Sequence, residues 1–389
     1  MSQVQERPAQ TGTQQMRAAR YHVKGQPFTV DEIDRPPLRP NEVLLQVKAC
    51  GLVPNFAVVL DPPPLVHSPE LPAIYGLDAA GVVVDKGELV YGVNVGDRVY
   101  VNPHRSCGSC RRCRMGKARS CDHATLSGYF GTGPKSPEMM SAYRFGGYAE
   151  YMPAPQDALV KLPASLDFES ACRWGYLGTG YSALRRSGVN MSTTVLINGA
   201  GGTLGLGAVI FALALGAPRI LAVGKSATRL ERVKELAPDR IEIHSAEDES
   251  AVEDWAKSLT EGEGADVVID ALPTGCPPEF LLAALRALAP GGIHVNIGGV
   301  IDEVPIRLME VMNKNQSLLG SFWFTTSEGQ EMADLAASGR VDLSILEHKV
   351  FALEDINDAL ALAISQERDG GFTNIVISPE TQSSLASLR

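Results

Sequence analysis

The sequence predicts an α/β protein in which a β-rich domain accompanies a doubly wound parallel sheet. Two observations predict this fold class. Short β-like runs broken by proline and glycine fill the first part of the chain, and apolar strands then alternate with helical stretches. The 389 residues are enough for two such domains. We assign 16–163 and 321–389 to the β-rich domain and 164–320 to the parallel sheet.

The composition narrows the class of protein. Acidic residues outnumber basic residues by 45 to 35, and the net charge of −10 argues against a nucleic-acid partner held by bulk electrostatics. No apolar run reaches the ~20 residues that a membrane span needs. Residues 1–15 are polar, lack the apolar core of a signal peptide and are expected to form a disordered tail. We therefore expect a cytoplasmic protein with a small-molecule substrate.

The β-rich domain is predicted from runs of β-branched and aromatic residues, which suit a pleated, half-buried surface. Proline and glycine separate these runs, which are EVLLQVKACG, AGVVVDKG, DRVYVNP and YAEYMP. The last part of the chain, 321–389, mixes two helical stretches with a final strand, TNIVISP. We expect this part to fold back onto the first.

Four cysteines share one short loop, with the spacing C-x2-C-x2-C-x7-C. They are Cys107, Cys110, Cys113 and Cys121. Four thiolates this close in sequence can converge on one tetrahedral Zn²⁺, which predicts one structural zinc per chain. Such a site leaves no position for water or substrate, so it holds a loop and does no chemistry. Disulfides and scattered thiols are the alternatives, but nothing here suggests secretion.

A glycine-rich turn follows the strand TVLIN at 194–198 and precedes a helical stretch. Its residues are Gly199, Ala200, Gly201, Gly202, Thr203, Leu204 and Gly205. Between a strand and a helix, these glycines favour a Rossmann turn, in which the backbone approaches a pyrophosphate at the helix N-terminus. The alternative is a tight turn with no ligand.

The next strand ends at the position that distinguishes the two nicotinamide cofactors. NAD sites usually place a carboxylate there to hold the ribose 2′-hydroxyl, whereas this chain has Gly224. Lys225, Ser226 and Arg229 follow, and two cations with a hydroxyl suit a 2′-phosphate. This pattern favours NADP(H), with NAD as the alternative. The alternative is that Lys225 and Arg229 are solvated side chains at the start of a helix and bind no phosphate.

Together these motifs resemble the zinc-type medium-chain dehydrogenase/reductases, which include the alcohol dehydrogenases. The resemblance extends from Met16 to about Pro379 and includes GDRVYVNP, GGYAEYM, TGY and LAPGGIHVNIGG, in that order. It implies a GroES-like catalytic domain built from both ends of the chain, with a Rossmann domain inserted and a cleft between them. It also implies a homodimer or homotetramer, and a contact of Thr179 with the nicotinamide. Thr179 is otherwise an ordinary threonine inside a helix.

The chain departs from this family at the catalytic zinc. Zinc-dependent members hold that metal with three side chains, and the matching positions here are Val53, Leu77 and the stretch that starts at Gly175. Valine, leucine and glycine cannot coordinate a metal, so we expect no catalytic zinc. A substitute set would need three convergent ligands, and the candidates are Asp78, His67 and Cys172.

Three residues are candidates for catalysis on the same alignment of motifs. Tyr176 lies beside the third ligand position and is a hydroxyl donor or a packed aromatic. Asn55 stands where relatives have a hydroxyl residue that contacts the substrate. It either binds substrate or is a turn residue that caps the backbone. Asp78 is a proton relay or a structural carboxylate. Further donor candidates are Tyr75, Tyr129, Tyr143 and Tyr148.

Without a Lewis acid at the substrate oxygen, the expected chemistry is hydride transfer to an activated C=C or C=N bond. Two alternatives stay open. One is an alcohol or carbonyl dehydrogenase of the same family. The other is a protein that binds a nucleotide without catalysis.

Overall fold

The computed structural model describes residues 14–62, 66–246, 251–365 and 369–381. The predicted tail, 1–15, lies outside these ranges except for Gln14 and Gln15, and Gln15 already belongs to the first strand. The strands of the first part are β1 Gln15–Arg20, β2 Thr29–Asp34, β3 Glu42–Leu52, β4 Asp78–Lys86, β5 Arg98–Val101, β6 His104–Arg105, β7 Thr125–Leu126, β8 Phe130–Gly131, β9 Tyr151–Pro155 and β10 Leu159–Lys161. The short helices between them are α1 Phe56–Leu60, α2 Arg111–Arg114 and α3 Ser136–Ala142, with 3-10 turns at Ala118–Ser120 and Gln156–Ala158.

A six-stranded parallel sheet forms the middle of the chain. Its elements are α4 Phe168–Ala171, α5 Trp174–Arg186, β11 Thr194–Asn198, α6 Thr203–Ala214, β12 Arg219–Gly224, α7 Ala227–Glu235, β13 Ile241–Ser245, α8 Val252–Ser258, β14 Ala265–Asp270, α9 Pro278–Arg286, β15 Leu288–Asn296, α10 Leu308–Asn313 and β16 Ser317–Gly320. The strand order is β13-β12-β11-β14-β15-β16, and every pairing is parallel. This order reverses direction at β11, which is the dinucleotide-binding arrangement of a Rossmann fold. The predicted fold class is confirmed.

The end of the chain returns to the β-rich domain. Its elements are α11 Thr326–Ala337, β17 Glu347–Ala352, a 3-10 turn at Leu353–Asp355, α12 Ile356–Ile364 and β18 Thr373–Ser378. β18 pairs with both β17 and β3 in a seven-stranded sheet that runs β10-β5-β4-β3-β18-β17, with β9 also paired to β3. Strand β18 is buried along its whole length, as expected for a strand inside a sheet.

One continuous apolar core joins the two domains. It includes side chains of β3 and β4 from the first domain and of α5 and α6 from the second. Helices α5 and α6 pack closely because glycine lies at their contact: a β-carbon at Gly180 would lie 2.8 Å from the backbone nitrogen of Ala208. None of the described helices has the length and apolar character needed to cross a bilayer.

Candidate functional site

The four cysteines of the loop converge. Their sulfur atoms all lie within 4.8 Å of one another. Three of the pairs are separated by 3.5 Å (Cys107–Cys121), 3.5 Å (Cys110–Cys113) and 3.8 Å (Cys110–Cys121). Four sulfurs around one tetrahedral Zn²⁺, at ~2.3 Å each, would lie roughly 3.8 Å apart. The cluster therefore fits the predicted structural zinc.

The backbone around the cluster favours thiolates. Amide N–H groups of Cys107, Cys110 and Cys113 donate to cluster sulfurs at 3.3–3.4 Å. The N–H groups of Ser109 and Cys110 lower the pKa of Cys107 to about 5. Because a metal ligand must be deprotonated, these donors favour metal binding at neutral pH.

The zinc loop is tied to the rest of the molecule by Arg119. Its guanidinium donates to the Ser182 hydroxyl of α5 at 2.7 Å and to the carbonyl oxygen of Trp323 at 2.9 Å. Trp323 has a positive φ of 59°, which is uncommon for a residue with a side chain. The loop therefore fixes the backbone of a residue that lies close to the cleft.

The glycine-rich turn has the geometry that a dinucleotide requires. Gly199 has a φ of +87°, and a β-carbon at Gly205 would collide with the carbonyl oxygen of Gly199. Helix α6 begins after Gly202, and no side chain caps its N-terminus. A pyrophosphate fits the N-terminus of α6, because the glycine backbone can approach it closely and the helix dipole is positive at this end.

A segment near the C-terminus packs against this turn, a contact that no sequence pattern indicates. The Gly371 N–H donates to the carbonyl oxygen of Gly201 at 3.0 Å. The carbonyl of Gly371 accepts from Arg173 Nη2 at 3.2 Å. Arg173 is buried and lies at the start of α5, beside the cleft. This segment thus links the nucleotide-binding turn to the catalytic domain.

The residues after β12 stand where the sequence predicts contact with the ribose. Lys225 is exposed, and Ser226 is the N-cap of α7, since its hydroxyl accepts from the Arg229 N–H at 3.4 Å. Arg229 is partly exposed and also ion-paired: its Nε donates to Asp369 Oδ1 at 2.8 Å. Asp369 also pairs with Arg232. No local pattern in the sequence predicts this carboxylate, because it lies 140 residues from Arg229.

Asn55 and Tyr176, two of the three candidates for catalysis, contact each other directly. Tyr176 Oη donates to Asn55 Oδ1 at 2.6 Å, and Tyr129 Oη donates to the same atom at 2.7 Å. No side-chain capping bond is made by Asn55, although it precedes α1. Tyr129 is one of the four further tyrosine candidates, and the structure places it in contact with Asn55.

These two hydrogen bonds orient the Asn55 amide. Its oxygen accepts both hydroxyls, so its NH₂ group points away from them. Asn55 is exposed, and its Nδ2 has no hydrogen-bond partner among the described residues. Tyr129 is buried, which raises its pKa well above the ordinary value and keeps the hydroxyl protonated. The arrangement presents two amide N–H donors to the cleft.

Asp78 is buried beside this group, at the start of β4. Tyr100 Oη donates to its Oδ1 at 2.6 Å. Burial raises the pKa of Asp78 to about 7, although the Tyr100 hydroxyl, the Arg173 charge and the Gly175 N–H oppose the shift. Asp78 therefore titrates near neutral pH, which suits a proton relay. The same raised pKa means that the ionised carboxylate is unfavourable in this buried place.

Thr179 lies inside α5, and its hydroxyl donates to the carbonyl oxygen of Gly175 at 2.9 Å. This bond to the preceding helical turn is common for a threonine within a helix. The side chain is buried. The helix-internal interpretation accounts for the hydroxyl, and a contact with nicotinamide stays a prediction.

The resemblance predicts the positions of the catalytic zinc ligands at Val53, Leu77 and the stretch from Gly175; Val53 and Leu77 are buried apolar side chains, and Gly175 is buried as well. A β-carbon at Gly175 would lie 2.6 Å from both Asp78 Oδ2 and Trp323 Cη2, closer than β-carbons approach other atoms. The space beside residue 175 is thus filled. Trp323 had no sequence signal as a residue of this site.

The candidate substitute ligands do not assemble. In the described ranges, the cysteine cluster is the sole group of three or more histidine, cysteine, aspartate or glutamate residues placed to hold one metal ion. Asp78, His67 and Cys172 therefore do not form a second such group.

The chain matches two family models. One, described as the alcohol dehydrogenase GroES-like domain, covers residues 39–164, and the other, described as zinc-binding dehydrogenase, covers 203–338. An alcohol dehydrogenase of Geobacillus stearothermophilus is 32% identical over 359 residues, which are 91% of this chain and 98% of that protein. A probable D-xylulose reductase A of Aspergillus clavatus is 29% identical, over 83% of this chain and 87% of that protein. The crystal structure of AibC superposes with a TM-score of 0.80 at 28% identity, covering 94% of this chain and 96% of that chain.

Proposed function

The chain belongs to the zinc-type medium-chain dehydrogenase/reductase superfamily and is an NAD(P)-dependent oxidoreductase, and we propose that it uses NADPH to reduce a double bond conjugated to a carbonyl or imine group. The observation that carries this proposal is the cleft itself. It offers oriented hydrogen-bond donors from Asn55 and Tyr176, while Val53, Leu77 and Gly175 stand where relatives bind a catalytic metal.

The filled space at residue 175 supports a reaction that needs no metal at the substrate. A ligand side chain there would have to displace the Asp78 carboxylate or the Trp323 indole. Val53 and Leu77 carry no atom that binds a metal ion. Polarisation of the substrate oxygen must then come from hydrogen bonds.

The reduced nicotinamide supplies the hydride when it is bound. The protein's part is to stabilise the negative charge that spreads from the attacked carbon to the heteroatom. The two N–H donors of Asn55 are free to meet that heteroatom, because Tyr129 and Tyr176 hold the amide oxygen. Donors fixed in advance stabilise the charge without a cost of reorganisation.

A proton must then reach the neighbouring carbon. Tyr176 is the better placed donor, because it is partly exposed whereas Tyr129 is buried. If Tyr176 turns towards the substrate, Tyr129 still holds Asn55 in place. Asp78, with its pKa near 7, is the second candidate for supplying protons.

Charge supports NADPH over NADH. Lys225 and Arg229 adjoin the end of β12, and Gly224 brings no carboxylate there. Asp369 offsets part of this charge, but it is shared between Arg229 and Arg232. Arg232 also pairs with Glu347, so three cations stand against two carboxylates here, and a 2′-phosphate would meet the remaining positive charge.

The second candidate is an alcohol or carbonyl dehydrogenase. The names of the relatives from Geobacillus stearothermophilus and Aspergillus clavatus favour it. In that reaction the hydride goes to a carbonyl carbon, and Tyr176 protonates the oxygen.

The two candidates differ in where the hydride arrives. Purified protein, NADPH deuterated at the transferred position and a panel of enones, iminium compounds, aldehydes and ketones would be combined, and the products analysed by NMR. We expect deuterium on the carbon β to the activating group. Deuterium on a carbinol carbon would overturn the proposal in favour of the second candidate. Turnover of none of these compounds would also count against it.

We also propose that the chain forms a homodimer across β16. This strand is the last of its sheet, with β15 as its sole partner among the described strands. Helix α10 and the loop before it expose large apolar side chains beside it: Ile301, Leu308, Met309 and Met312. An unpaired edge and an exposed apolar patch are typical of an interface between subunits.

A further inference from the structure

The β-rich domain contains a second pocket, of about 340 Å³, which shares no lining residue with the catalytic group of Asn55, Tyr176 and Asp78. It opens between the loop before β3, the end of β6 and the segment after α3. Its volume is within the range of small-molecule sites. One part of its wall is apolar and includes Leu38, Phe145 and Met152.

The polar part of the wall includes a buried cation. Arg105 is only 5% exposed, and its Nη1 donates to the carbonyl oxygens of Asn102 at 2.5 Å and His104 at 3.0 Å. Its Nε has no hydrogen-bond partner among the described residues. Burial lowers the pKa of Arg105 to about 10, so the side chain stays protonated at neutral pH. A buried charge with an unused donor is costly unless an acceptor reaches it.

A hydroxyl accompanies this cation. Ser127 is 2% exposed, lines the same pocket, and its Oγ also has no partner in the described part of the chain. Buried side-chain polar atoms are usually satisfied, so two unsatisfied donors on one pocket point to a ligand that supplies acceptors.

The charges around the pocket favour an anion. Arg39 and Arg105 both approach the Tyr143 ring, with guanidinium carbons 4.8 Å and 5.4 Å from its centroid. Arg144 also lines the pocket. The one lining carboxylate, Glu42, accepts from the Arg39 N–H at 3.1 Å and lies 3.5 Å from its guanidinium. Three cations thus line the pocket with one carboxylate that Arg39 already engages, while Asp157, outside the lining, also interacts with the Arg105 charge.

We propose that this pocket binds a small organic anion, with its carboxylate or phosphate head on Arg105 and Ser127 and its apolar body against Leu38, Phe145 and Met152. The head supplies the acceptors that Arg105 Nε and Ser127 Oγ lack. The apolar wall favours an organic anion over a small inorganic ion, because only a hydrocarbon body buries apolar surface against it.

Titration calorimetry with the zinc-containing protein, saturated with NADPH, tests the proposal. The probes are phenyl phosphate and benzoate, which separate the two kinds of head, with benzamide as the neutral analogue. We expect one of the two anions to bind and benzamide not to. Ser127→Ala should weaken binding about tenfold, as expected for a hydrogen bond to a charged group. Arg105→Gln should weaken it further.

The controls separate this pocket from the cleft and from a failure to fold. Ser127→Ala removes a hydroxyl that makes no bond in the protein, so it tests the site even if Arg105→Gln does not fold. Arg340→Gln, at an exposed arginine outside the pocket, and Asn55→Ala, in the cleft, should leave the dissociation constant unchanged. The proposal is overturned if neither anion binds, if Ser127→Ala binds like the parent, or if Asn55→Ala abolishes binding.

Discussion

At the scale of single residues, the cleft is organised by one amide. Asn55 accepts two tyrosine hydroxyls on its oxygen, and its nitrogen has no partner among the described residues. The two tyrosines differ in exposure, and in the proposed function Tyr129 holds the amide while Tyr176 turns to the substrate. The proposed reaction would then depend on hydroxyl and amide groups instead of a metal at the substrate.

Replacement of Tyr176, the partly exposed tyrosine, tests this division of roles. Tyr176→Phe should lower kcat about 10²-fold, the usual cost of losing one donor to a developing charge or proton transfer. The effect on KM should be small, because Asn55 stays held by Tyr129. Steady-state kinetics on the substrate found by the deuterium experiment measures both. Tyr91→Phe, at an exposed tyrosine elsewhere, is the matched control, and an unchanged kcat for Tyr176→Phe would contradict the assignment.

The buried carboxyl of Asp78 predicts a pH dependence of stability. Its pKa is about 7 in the folded chain against 3.8 for the unperturbed group, so between these values the folded chain holds more protons than the unfolded chain. The free energy of unfolding therefore falls as pH rises through this window. Asp78→Asn should remove that loss. The free energy of unfolding of the variant should therefore rise relative to that of the parent by on the order of 2 kcal/mol between pH 5 and pH 8.

Urea unfolding of both proteins at the two pH values measures this difference. Asp97→Asn is the control, because the Asn94 N–H lowers the pKa of Asp97 below 3.8 and the group is ionised at both pH values. Its effect should be the same at pH 5 and pH 8. An Asp78→Asn effect that did not change with pH would mean that Asp78 is not protonated in the folded protein.

At the scale of elements, two short segments carry the predicted cofactor site. In the proposed function, the turn between β11 and α6 offers its backbone to the pyrophosphate, and the residues after β12 select the ribose. The cysteine loop holds its own geometry and reaches the cleft through Arg119 and Trp323. Each segment can be tested by one substitution.

The end of β12 should determine the choice of cofactor. Gly224→Asp should shift preference from NADPH towards NADH, because the carboxylate repels a 2′-phosphate and accepts from a 2′-hydroxyl. A β-carbon at Gly224 meets nothing closer than 3.4 Å, so the substitution is tolerated sterically. The ratio of kcat/KM for the two cofactors measures the shift. Equal use of both cofactors by the parent protein would contradict the charge argument.

The cysteine loop should hold about one zinc per chain. Cys110→Ser should lose the metal and lower the melting temperature, because three thiolates no longer satisfy the ion and the loop is released. Metal analysis by mass spectrometry and a thermal melt measure the two effects. Cys276→Ser, at a cysteine outside the cluster, should keep the zinc. A parent protein with close to two zincs per chain would indicate a catalytic metal.

At the scale of the whole molecule, the two domains are joined by more than the connecting chain. The core is continuous between them, and the segment at Gly371 bonds to both the glycine-rich turn and Arg173. The sheet of the second domain ends at β16, beside the exposed apolar side chains of α10. Four exposed apolar side chains, Ile301, Leu308, Met309 and Met312, thus lie close together beside this edge strand.

This edge predicts the oligomeric state. A Met309→Glu, Met312→Glu double variant should convert a dimer into a monomer, because two buried carboxylates without partners would oppose association. Light scattering after gel filtration gives the mass. Met191→Glu, at a methionine exposed outside this patch, is the control and should stay dimeric. A monomeric parent protein, or a dimeric double variant, would contradict an interface at β16.

The sequence alone was sufficient to predict the features whose residues are neighbours along the chain. The zinc loop places four ligands within 15 residues, and the glycine-rich turn lies between a strand and a helix, so spacing by itself predicted both. The parallel sheet followed from the alternation of strands and helices. Asn55 and Tyr176 were candidates through their place in family motifs, before any contact between them was known.

Only the tertiary structure decided which distant residues meet. Tyr129 is 74 residues from Asn55 and Asp369 is 140 from Arg229, and neither pair has a pattern in the sequence that predicts it. The filling of the space at Gly175 by Trp323 likewise depends on packing between separate elements. Local motifs specify the backbone and the ligands within one turn or loop, whereas the partners of a buried polar side chain are determined when strands and helices from different parts of the chain pack together.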